Sequence, residues 1–322
     1  MDSPVCTVTI VSAGAMGAAL ARLMTRNGCT VLTNLDGRSE STRRRAADAG
    51  MLDVSLDEIA RRSDWIFSIL PPAEARSFSL AILRAYDPDS GPVFVDCNAK
   101  NPETAKALSE PFKFTPIVFI DASIIGLPPN GDHIPTLYAS ARPSDAKALN
   151  DFLALSRFGL RIKILEGEGS GIGDASALKM SFSGIMKGMV ALYTTIILSA
   201  HAQSPAVSRA LIRELSISQP NDARNIAFYV PNSFSKAYRF VREMEEMAGF
   251  ISDRVDGRSH GSGNEITVSD IYRGFSGIFQ RVADSLEQGT NDVETLKNMA
   301  DEADQLLILP SNCNASSDSA TA

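Results

Sequence analysis

The stretch Val5-Cys6-Thr7-Val8-Thr9-Ile10-Val11-Ser12-Ala13-Gly14-Ala15-Met16-Gly17 joins an apolar run to a turn of small residues. Its first part, Val5–Ser12, is rich in β-branched residues and predicts a buried strand. The small residues after it predict a tight turn, followed by a helix that ends at Gly28. A strand, a tight turn and a helix in this order are typical of the start of a βαβ unit.

The same alternation of strands and helices continues over about the first 165 residues. Further strand-like runs are Thr30–Leu35, Asp64–Leu70, Pro92–Cys97, Ile117–Ser123, Thr136–Ser140 and Arg161–Leu165. Two helix starts carry signals of their own: Ser55 followed by Glu58 fits a capping box, and Asn101 followed by Pro102 fits a capped first turn. The pattern predicts an α/β domain with a mostly parallel, doubly wound sheet.

The pattern changes after the glycine-rich stretch Gly167–Gly173. Asp174 to His201 predicts one long apolar helix, and the segments 205–216, 232–250 and 266–306 are also helical in pattern. We therefore predict an α/β domain over residues 1–170 and an all-α domain over 171–310. The serine- and alanine-rich residues 311–322 are expected to be a disordered tail.

Composition excludes several classes of protein. A formal charge of −7 over 322 residues provides no global positive field to attract nucleic acid. The four cysteines are widely spaced, and no His, Asp and Cys cluster has the spacing of metal ligands, so we expect neither a disulfide framework nor a metal. The most apolar stretch, 188–200, is too short to span a membrane, and the first residues lack the basic start of a signal peptide. We expect a cytoplasmic protein without membrane or nucleic-acid partners.

The small-residue turn also predicts a ligand. In dinucleotide-binding folds such a turn lets backbone N–H groups approach a diphosphate, which the N-terminus of the next helix attracts. The residues in that position are Ser12, Ala13, Gly14, Ala15, Met16 and Gly17. Ser12 replaces the first glycine of the G-x-G-x-x-G pattern, so a purely structural tight turn is the alternative.

The end of the second predicted strand bears on the choice of cofactor. Asp36 lies about 20 residues after the turn, where an acid binds the ribose 2′-hydroxyl of NAD. Arg38, Ser39 and Arg43 follow it and are donors suited to the 2′-phosphate of NADP. We predict NADP, with a solvated basic helix start as the alternative. Arg38→Ala is then expected to raise the KM for NADPH far more than that for NADH.

The motifs of the chain, taken in order, resemble a known superfamily. They are Ser-Ala-Gly-Ala-Met-Gly (12–17), Asp-Gly-Arg-Ser (36–39), Ser-Ile-Leu-Pro-Pro (68–72), Asp-Cys-Asn-Ala (96–99), Asp-Ala-Ser-Ile-Ile-Gly (121–126) and Gly-Asp-Ala-Ser-Ala-Leu-Lys-Met (173–180). Together they resemble the β-hydroxyacid dehydrogenases, which include 6-phosphogluconate dehydrogenase-like and 3-hydroxyisobutyrate dehydrogenase-like proteins. Lys236–Ala248 resembles the C-terminal domain of one branch, and the resemblance covers about residues 5–305.

This resemblance implies hydride transfer between a nicotinamide and a substrate in an interdomain cleft. It also implies a homodimer built through the long helix and the helical domain. The catalytic lysine of the family falls on Lys179, which would act as general acid or base at the oxygen of the reacting carbon. Desolvation within an apolar helix can lower the pKa of a lysine toward neutrality, and a snorkelling lysine is the structural alternative.

Two positions depart from the family pattern. The asparagine that follows the lysine by four residues in the family is Ser183 here. The serine that binds a substrate carboxylate in the family is Ile125, beside Ser123 and Gly126 in the predicted substrate site. Because isoleucine cannot bind a carboxylate, we expect a larger or more apolar carbonyl or imine than a small hydroxyacid, and not 6-phosphogluconate.

Other positions carry weaker expectations from the resemblance. Leu70 and Pro71 would line the cofactor, and Asn98 would contact the nicotinamide ribose or carboxamide, or else cap the following loop. His133 and His260 lie in loops, where solvent exposure is the ordinary role and a place at the edge of the site is the alternative.

Three functions are compatible with these residues. The leading hypothesis is an NADP-dependent dehydrogenase or reductase that interconverts C=O and CH–OH with Lys179 as proton donor or acceptor. The second is an imine reductase, in which related proteins typically replace the lysine. The third is a regulator that binds NADP without turnover. The sequence does not name the substrate, the direction of the reaction or any decarboxylation.

Overall fold

The structure is a computed structural model that describes residues 6–86, 91–256 and 267–308. It divides into two compact units, the first ending at Phe182 and the second beginning at Ser183. The predicted boundary between residues 170 and 171 lies just before a long helix, whereas the division by packing falls within that helix. The predicted domain limits stay a prediction, and the predicted tail at 311–322 lies outside the described residues.

In the described part of the chain, eight strands of the first unit form one sheet in the order β3-β2-β1-β4-β5-β6-β7-β8. The strands are β1 (Thr7–Val11), β2 (Thr30–Thr33), β3 (Leu52–Asp53), β4 (Trp65–Ser68), β5 (Val93–Asp96), β6 (Phe119–Ile125), β7 (Thr136–Ser140) and β8 (Arg161–Ile164). All neighbouring strands pair in parallel except β6 and β7, which are antiparallel. This confirms the mostly parallel, doubly wound sheet.

The strand order reverses direction beside β1. The chain passes from β1 to β2 and β3 on one side, then returns to place β4 on the other side of β1. In open α/β sheets ligands bind outside the carboxyl ends of the strands at such a switch point. The small-residue turn follows β1 at this place. The sequence missed β3, because this strand has two residues, both exposed, and shows no apolar pattern.

Six helices of the first unit flank this sheet in the described residues: α1 (Ala15–Arg26), α2 (Glu40–Asp48), α3 (Leu56–Arg62), α4 (Pro72–Ala85), α5 (Pro102–Ser109) and α6 (Ala146–Leu153). Ser55 and Glu58 form the predicted capping box, and the Asn101 side chain accepts a hydrogen bond from the N–H of Glu103. The core includes a cluster of aromatic rings, Phe67, Phe94, Phe112, Phe119 and Phe152.

The long helix α7 (Asp174–Gln203) begins in the first unit and continues into the second. The second unit adds α8 (Pro205–Ser218), α9 (Pro220–Ser233), α10 (Ala237–Ile251), α11 (Asp270–Gln288) and α12 (Asn291–Ile308). No strand occurs among its described residues, as predicted.

Two boundaries in the second unit were predicted wrongly. The segment 266–306 was expected to be one helical stretch, but Gly289 takes a φ of +67° and ends α11 two residues before α12 begins. The predicted segments 205–216 and 232–250 leave out nearly all of α9 (Pro220–Ser233), a helix that the sequence missed. Glycine often ends a helix in the left-handed conformation, because it has no Cβ that would clash there. The sequence pattern alone did not reveal this break.

Helix α7 is, within the described residues, the one helix long and apolar enough by composition to cross a membrane. Its second half supplies Val190, Ala191, Ile197 and Leu198 to the apolar core of the second unit. Part of α7 therefore packs in the interior of the second unit.

Candidate functional site

The small-residue turn has a backbone that suits a bound anion. Ser12 takes a φ of +80°, a left-handed conformation that favours glycine, at the position where the motif has its first glycine. A Cβ on Gly17 would lie 2.2 Å from the carbonyl oxygen of Ser12. The backbone at Ser12 therefore comes too close to Gly17 for any side chain there. Gly14 caps α1 without any side-chain hydrogen bond, which leaves the first N–H groups of the helix without a side-chain cap. These features fit the diphosphate of a dinucleotide.

The segment after β2, which comprises a loop and the start of α2, carries two arginines. The Arg38 guanidinium pairs with the Glu74 carboxylate at 3.0 Å, and Arg43 donates to the carbonyl oxygen of Leu35 at 2.6 Å. The Ser39 side chain caps α2 by accepting from the N–H of Thr42. We call Arg38, Ser39 and Arg43 the arginine loop. Asp36, the residue that would favour NAD, is exposed and accepts a hydrogen bond from Asn34.

Arg45 is a further cation near the turn that the sequence did not single out. Its Nε donates to the carbonyl oxygen of Ala13 at 3.0 Å, across 32 residues of chain. This bond ties α2 to the turn after β1 and puts a positive charge next to it. The run of three arginines at 43–45 was visible in the sequence, but only the fold shows which of them reaches back to the turn.

The carboxyl ends of β4 and β5 are joined through Asn98. Its Oδ1 accepts from the N–H of Leu70 at 2.6 Å, and its Nδ2 donates to Ser68 Oγ and to Asp96 Oδ1. The side chain is buried, and both of its Nδ2 hydrogens have protein partners. These bonds give Asn98 a structural role that the sequence did not anticipate: it holds the N–H of Leu70, at the end of β4, rather than capping the loop that follows Asn98. Leu70 itself is buried, whereas Pro71 is exposed.

Three charged side chains, from β5, β6 and the segment after β5, are buried together. The Lys100 ammonium lies 2.5 Å from Asp96 Oδ2 and 3.6 Å from Asp121 Oδ1, and each of the three side chains is at most 3% exposed. The shorter contact is a close ion pair, and neither the Lys100 nitrogen nor Asp96 Oδ2 has a hydrogen-bond partner among the described residues. We call Asp96, Lys100 and Asp121 the buried charge cluster. The sequence did not identify Lys100 or either aspartate as site residues.

Asp121 connects this cluster to the start of α7. Its Oδ2 accepts from the N–H groups of Gly173 and Ser176, and its Oδ1 accepts from Ser176 Oγ at 2.7 Å. The Asp121 carboxylate thereby caps a helix that begins about 50 residues later, and the helix dipole favours a negative charge at this end. Burial raises the pKa of the Asp121 carboxyl, while the Lys100 ammonium and the bonds from Ser176 oppose that rise.

Lys179 lies on α7 three residues after Ser176, which places both on one face of the helix. Its ammonium also influences Cys97, whose buried thiol follows Asp96 in the chain. Burial and the Asp96 carboxylate raise the pKa of that thiol, whereas the ammonium groups of Lys100 and Lys179 lower it. The predicted catalytic lysine thus lies one helical turn beyond Ser176, the residue through which Asp121 caps α7.

Ser183 follows Lys179 by one turn of α7. The Lys187 ammonium donates a hydrogen bond to Ser183 Oγ, forms an ion pair with the Glu243 carboxylate, and lies 5.2 Å from the centre of the Phe240 ring. Lys187 uses one lone pair of the Ser183 oxygen, so the Ser183 hydroxyl keeps its proton to donate and a second lone pair to accept. The sequence missed Lys187, although its eight-residue distance from Lys179 places both on one helix face.

The predicted substrate residues lie on β6. Ser123 is fully buried and its Oγ has no hydrogen-bond partner among the described residues, while Ile125 is partly exposed. Gly126 takes a φ of +130°, and a Cβ there would lie 3.1 Å from the Pro135 side chain. By strand alternation Asp121, Ser123 and Ile125 face one side of the sheet.

The remaining predictions concern histidines and metals. His133 lies in the loop after β6, where its Nε2 is 3.2 Å from the carbonyl oxygen of Leu127. His260 lies outside the described residues. Within the part of the chain that is described, no group of three His, Cys, Asp or Glu side chains is arranged to hold a metal ion.

The fold and the turn define a nucleotide-binding domain of the nicotinamide-dependent oxidoreductase type. The family described as the NAD binding domain of 6-phosphogluconate dehydrogenase matches residues 7–158, and a domain of unknown function, DUF1932, matches residues 202–282. The chain therefore has an NAD-binding domain of the 6-phosphogluconate dehydrogenase type, followed by the DUF1932 domain, which is the arrangement that the resemblance implied.

Solved structures share this fold. A conserved protein of unknown function, MTH1747, reported as similar to 3-hydroxyacid dehydrogenases, is 26% identical with a TM-score of 0.67, over 88% of this chain and 99% of that one. The 3-hydroxyisobutyrate dehydrogenase of Mycobacterium tuberculosis is 14% identical with a TM-score of 0.59, over 94% of this chain and 99% of that one. An imine reductase from Myxococcus stipitatus in complex with NADP⁺ is 17% identical with a TM-score of 0.52, over 88% and 95%. No curated protein matches the chain in sequence.

Proposed function

We propose that the protein is an NADP-dependent oxidoreductase that transfers a hydride between NADP(H) and a carbonyl or hydroxy substrate, with Lys179 as general acid or base. The observation that carries this proposal is the uncapped start of α1 at the switch point of the sheet, with the arginine loop at the end of the adjacent strand. Residues 1–170 would bind the cofactor, and residues 171–310 would serve the substrate and the dimer.

Different residues of the chain bind different parts of the cofactor in this proposal. The N-terminus of α1 and the N–H groups of the turn attract the diphosphate. Arg38, Ser39 and Arg43 bind the 2′-phosphate through charge-assisted hydrogen bonds, for which Arg38 exchanges its exposed partner Glu74. Leu70 and Pro71 line the nicotinamide side, and Asn98 holds that segment from behind. The cofactor, when bound, supplies or accepts the hydride.

Proton transfer falls to Lys179. In the direction of reduction, Lys179 donates a proton to the substrate oxygen while the carbon receives the hydride, and in oxidation it removes that proton. The Ser183 hydroxyl, with its oxygen held by Lys187, donates a hydrogen bond to the same or a neighbouring oxygen. Ile125 and the buried Ser123 leave no cation or exposed donor on β6 for a small carboxylate, which favours a larger or more apolar carbonyl substrate.

The test measures NADPH oxidation with panels of ketones, aldehydes and cyclic imines. Lys179→Ala is expected to lower kcat on the best carbonyl substrate by about 10²–10⁴-fold, the usual contribution of a general acid. Lys147→Ala is the matched control, since Lys147 is a surface lysine with an 89% exposed side chain. Failure to bind either NADPH or NADH at millimolar concentration would contradict the proposal.

Imine reduction is the second candidate, because the family's asparagine and serine partners are absent at Ser183 and Ile125 while the fold is shared with imine reductases. Turnover of cyclic imines without turnover of ketones would favour it over carbonyl reduction. Binding of NADPH without turnover of any compound, and without an effect of Lys179→Ala, would instead indicate a regulator that senses the cofactor.

We also propose that the protein forms a homodimer in the cytoplasm through α7. Ile185, Leu192 and Ile196 lie on one face of this helix and are 48–63% exposed. Light scattering is expected to give twice the monomer mass, and Leu192→Lys to reduce it to that of the monomer. A monomeric parent protein would contradict this proposal.

A further inference from the structure

Arg45 on α2 makes two hydrogen bonds through one guanidinium. Its Nε donates to the carbonyl oxygen of Ala13 in the small-residue turn at 3.0 Å, and its Nη2 donates to Thr42 Oγ1 at 2.9 Å. Because a guanidinium is planar and rigid, bonds from two of its nitrogens fix its orientation. The bond to the turn therefore holds the guanidinium in the place from which it donates to Thr42.

The contact with Thr42 continues to Ser39 of the arginine loop. Thr42 Oγ1 lies 3.1 Å from Ser39 Oγ, and Ser39 Oγ lies 3.0 Å from the oxygen of the exposed Ser41. Ser39 Oγ also accepts from the N–H of Thr42, since Ser39 caps α2. One line of hydrogen bonds thus runs from the turn through Arg45 and Thr42 to Ser39.

The direction of these bonds follows from the guanidinium, which donates hydrogen bonds but cannot accept them. Thr42 Oγ1 accepts from Arg45, so the proton of the Thr42 hydroxyl is available for Ser39 Oγ. Ser39 then accepts from both the hydroxyl and the N–H of Thr42, which uses both lone pairs of its oxygen. The proton of the Ser39 hydroxyl is left to be donated, either to Ser41 or to a bound anion.

We propose that Arg45 is a positioning residue for the 2′-phosphate of NADP: it directs the hydroxyl of Thr42 toward Ser39, so that Ser39 donates to the phosphate. A phosphate presents only acceptor oxygens and a negative charge, so a hydroxyl that is held as a donor favours it. This inference rests on the proposed binding of NADP by the arginine loop. Without Arg45 the bond between Thr42 and Ser39 can reverse, and Ser39 can then donate to Thr42 instead of the phosphate.

The experiment measures the dissociation constants of NADPH and NADH for the full-length protein by calorimetry, at about 0.15 M ionic strength. The readout is the ratio of the two constants, because NADH lacks the 2′-phosphate. Arg45→Met is expected to raise the constant for NADPH about 10-fold relative to that for NADH, and Thr42→Val about 5-fold, which is the range of one hydrogen bond. Thr42→Ser keeps the hydroxyl and is expected to stay within about twofold of the parent.

Other roles of Arg45 give different patterns. If Arg45 only holds the turn, Arg45→Met weakens both cofactors equally and Thr42→Val weakens neither. If Arg45 acts only as a nearby positive charge, Arg45→Met weakens NADPH binding but Thr42→Val does not. Either result overturns the inference. Arg44→Met is the matched control, since it removes an exposed arginine from the same helix and is expected to change the ratio by less than about threefold.

The outcomes also separate this inference from the proposed function, because binding is measured without turnover. The expected ratios in a protein that turns over no carbonyl or imine would uphold the inference and contradict the proposed oxidoreductase. Unchanged ratios in an active NADPH-dependent enzyme would do the reverse. If Arg45→Met does not fold, Thr42→Val and Thr42→Ser decide, since equal ratios in these two variants contradict the inference. A parent protein that does not bind NADPH overturns the inference together with the proposed cofactor.

Discussion

The arginine loop and the buried charge cluster both place charged side chains at the carboxyl edge of one sheet. They differ in how much of those side chains is exposed to solvent. Arg38 and Glu74 keep 34% and 45% of their side-chain surface exposed, whereas the cluster is at most 3% exposed. An exposed pair contributes about 0–1 kcal/mol and exchanges partners easily, so the loop can accept a phosphate. A buried pair is costly to break and therefore holds a fixed geometry.

The largest effect on stability is expected from a substitution in the buried charge cluster. Asp121→Ala removes an acceptor from Gly173, Ser176 and Lys100 at once, and leaves N–H groups at the start of α7 unpaired. We expect a loss of about 3–5 kcal/mol in the free energy of unfolding, measured by urea denaturation.

Glu110→Ala is the exposed counterpart, because Glu110 pairs with Lys113 on the surface. It is expected to cost at most about 1 kcal/mol. Equal losses in the two variants would show that burial does not separate the two kinds of pair in this protein.

A second prediction distinguishes two roles of the small-residue turn, the stability of the fold and the binding of NADPH. Gly17→Ala places a Cβ against the Ser12 carbonyl oxygen and forces the backbone to move, at a cost of about 1–3 kcal/mol in stability together with loss of NADPH binding. Gly14→Ala meets nothing closer than Ser12 Oγ at 3.8 Å and should leave stability unchanged.

Calorimetry with NADPH completes this pair. Because Gly14 precedes the uncapped N–H groups, a Cβ there is expected to weaken NADPH binding without destabilising the fold. Normal NADPH affinity in Gly14→Ala would mean that the turn is structural and holds no diphosphate.

The third prediction concerns the exposed side alone. Arg38→Ala is expected to raise the KM for NADPH about 10–100-fold and to leave that for NADH nearly unchanged, since one charge-assisted contact contributes about 1.5–3 kcal/mol. Arg62→Ala, which removes an exposed arginine paired with Glu58, is the control. Equal changes for the two cofactors would count against NADP as the cofactor.

The smallest effect is expected at the capping box of α3, which lies outside both the arginine loop and the buried charge cluster. Ser55→Ala removes half of the capping box of α3 and should cost about 1 kcal/mol in the free energy of unfolding. The KM for NADPH should not change. A larger loss would indicate that α3 supports the arginine loop more directly than its contacts show.

Sequence reasoning was most successful where a structure depends on neighbours in the chain. Thr136–Ser140 was predicted to the residue, and the caps at Ser55 and Asn101 were identified, because both rest on local pattern and local hydrogen bonds. It failed at β3, which is too short to show a pattern, and at the break between α11 and α12, where one left-handed glycine ends a helix in an otherwise continuous pattern.

For the candidate site, the turn, the arginine loop and Lys179 were all predicted from the sequence, because each belongs to a motif that is continuous in the chain. The buried charge cluster was not. Asp96 and Lys100 are separated from Asp121 by more than twenty residues, and a lysine in a polar loop is ordinarily exposed. Arg45 and Lys187 were missed for a similar reason, since their partners Ala13 and Glu243 are distant in the chain.

The sequence by itself determined the parallel sheet, the helical second unit, the dinucleotide-type turn and the type of the NAD-binding domain, because hydrophobic period and short motifs are local properties. The tertiary structure alone decided which charges are buried together and which carboxylate caps α7. Those contacts join strands and helices far apart in the chain, and their effect depends on burial, which no local pattern records.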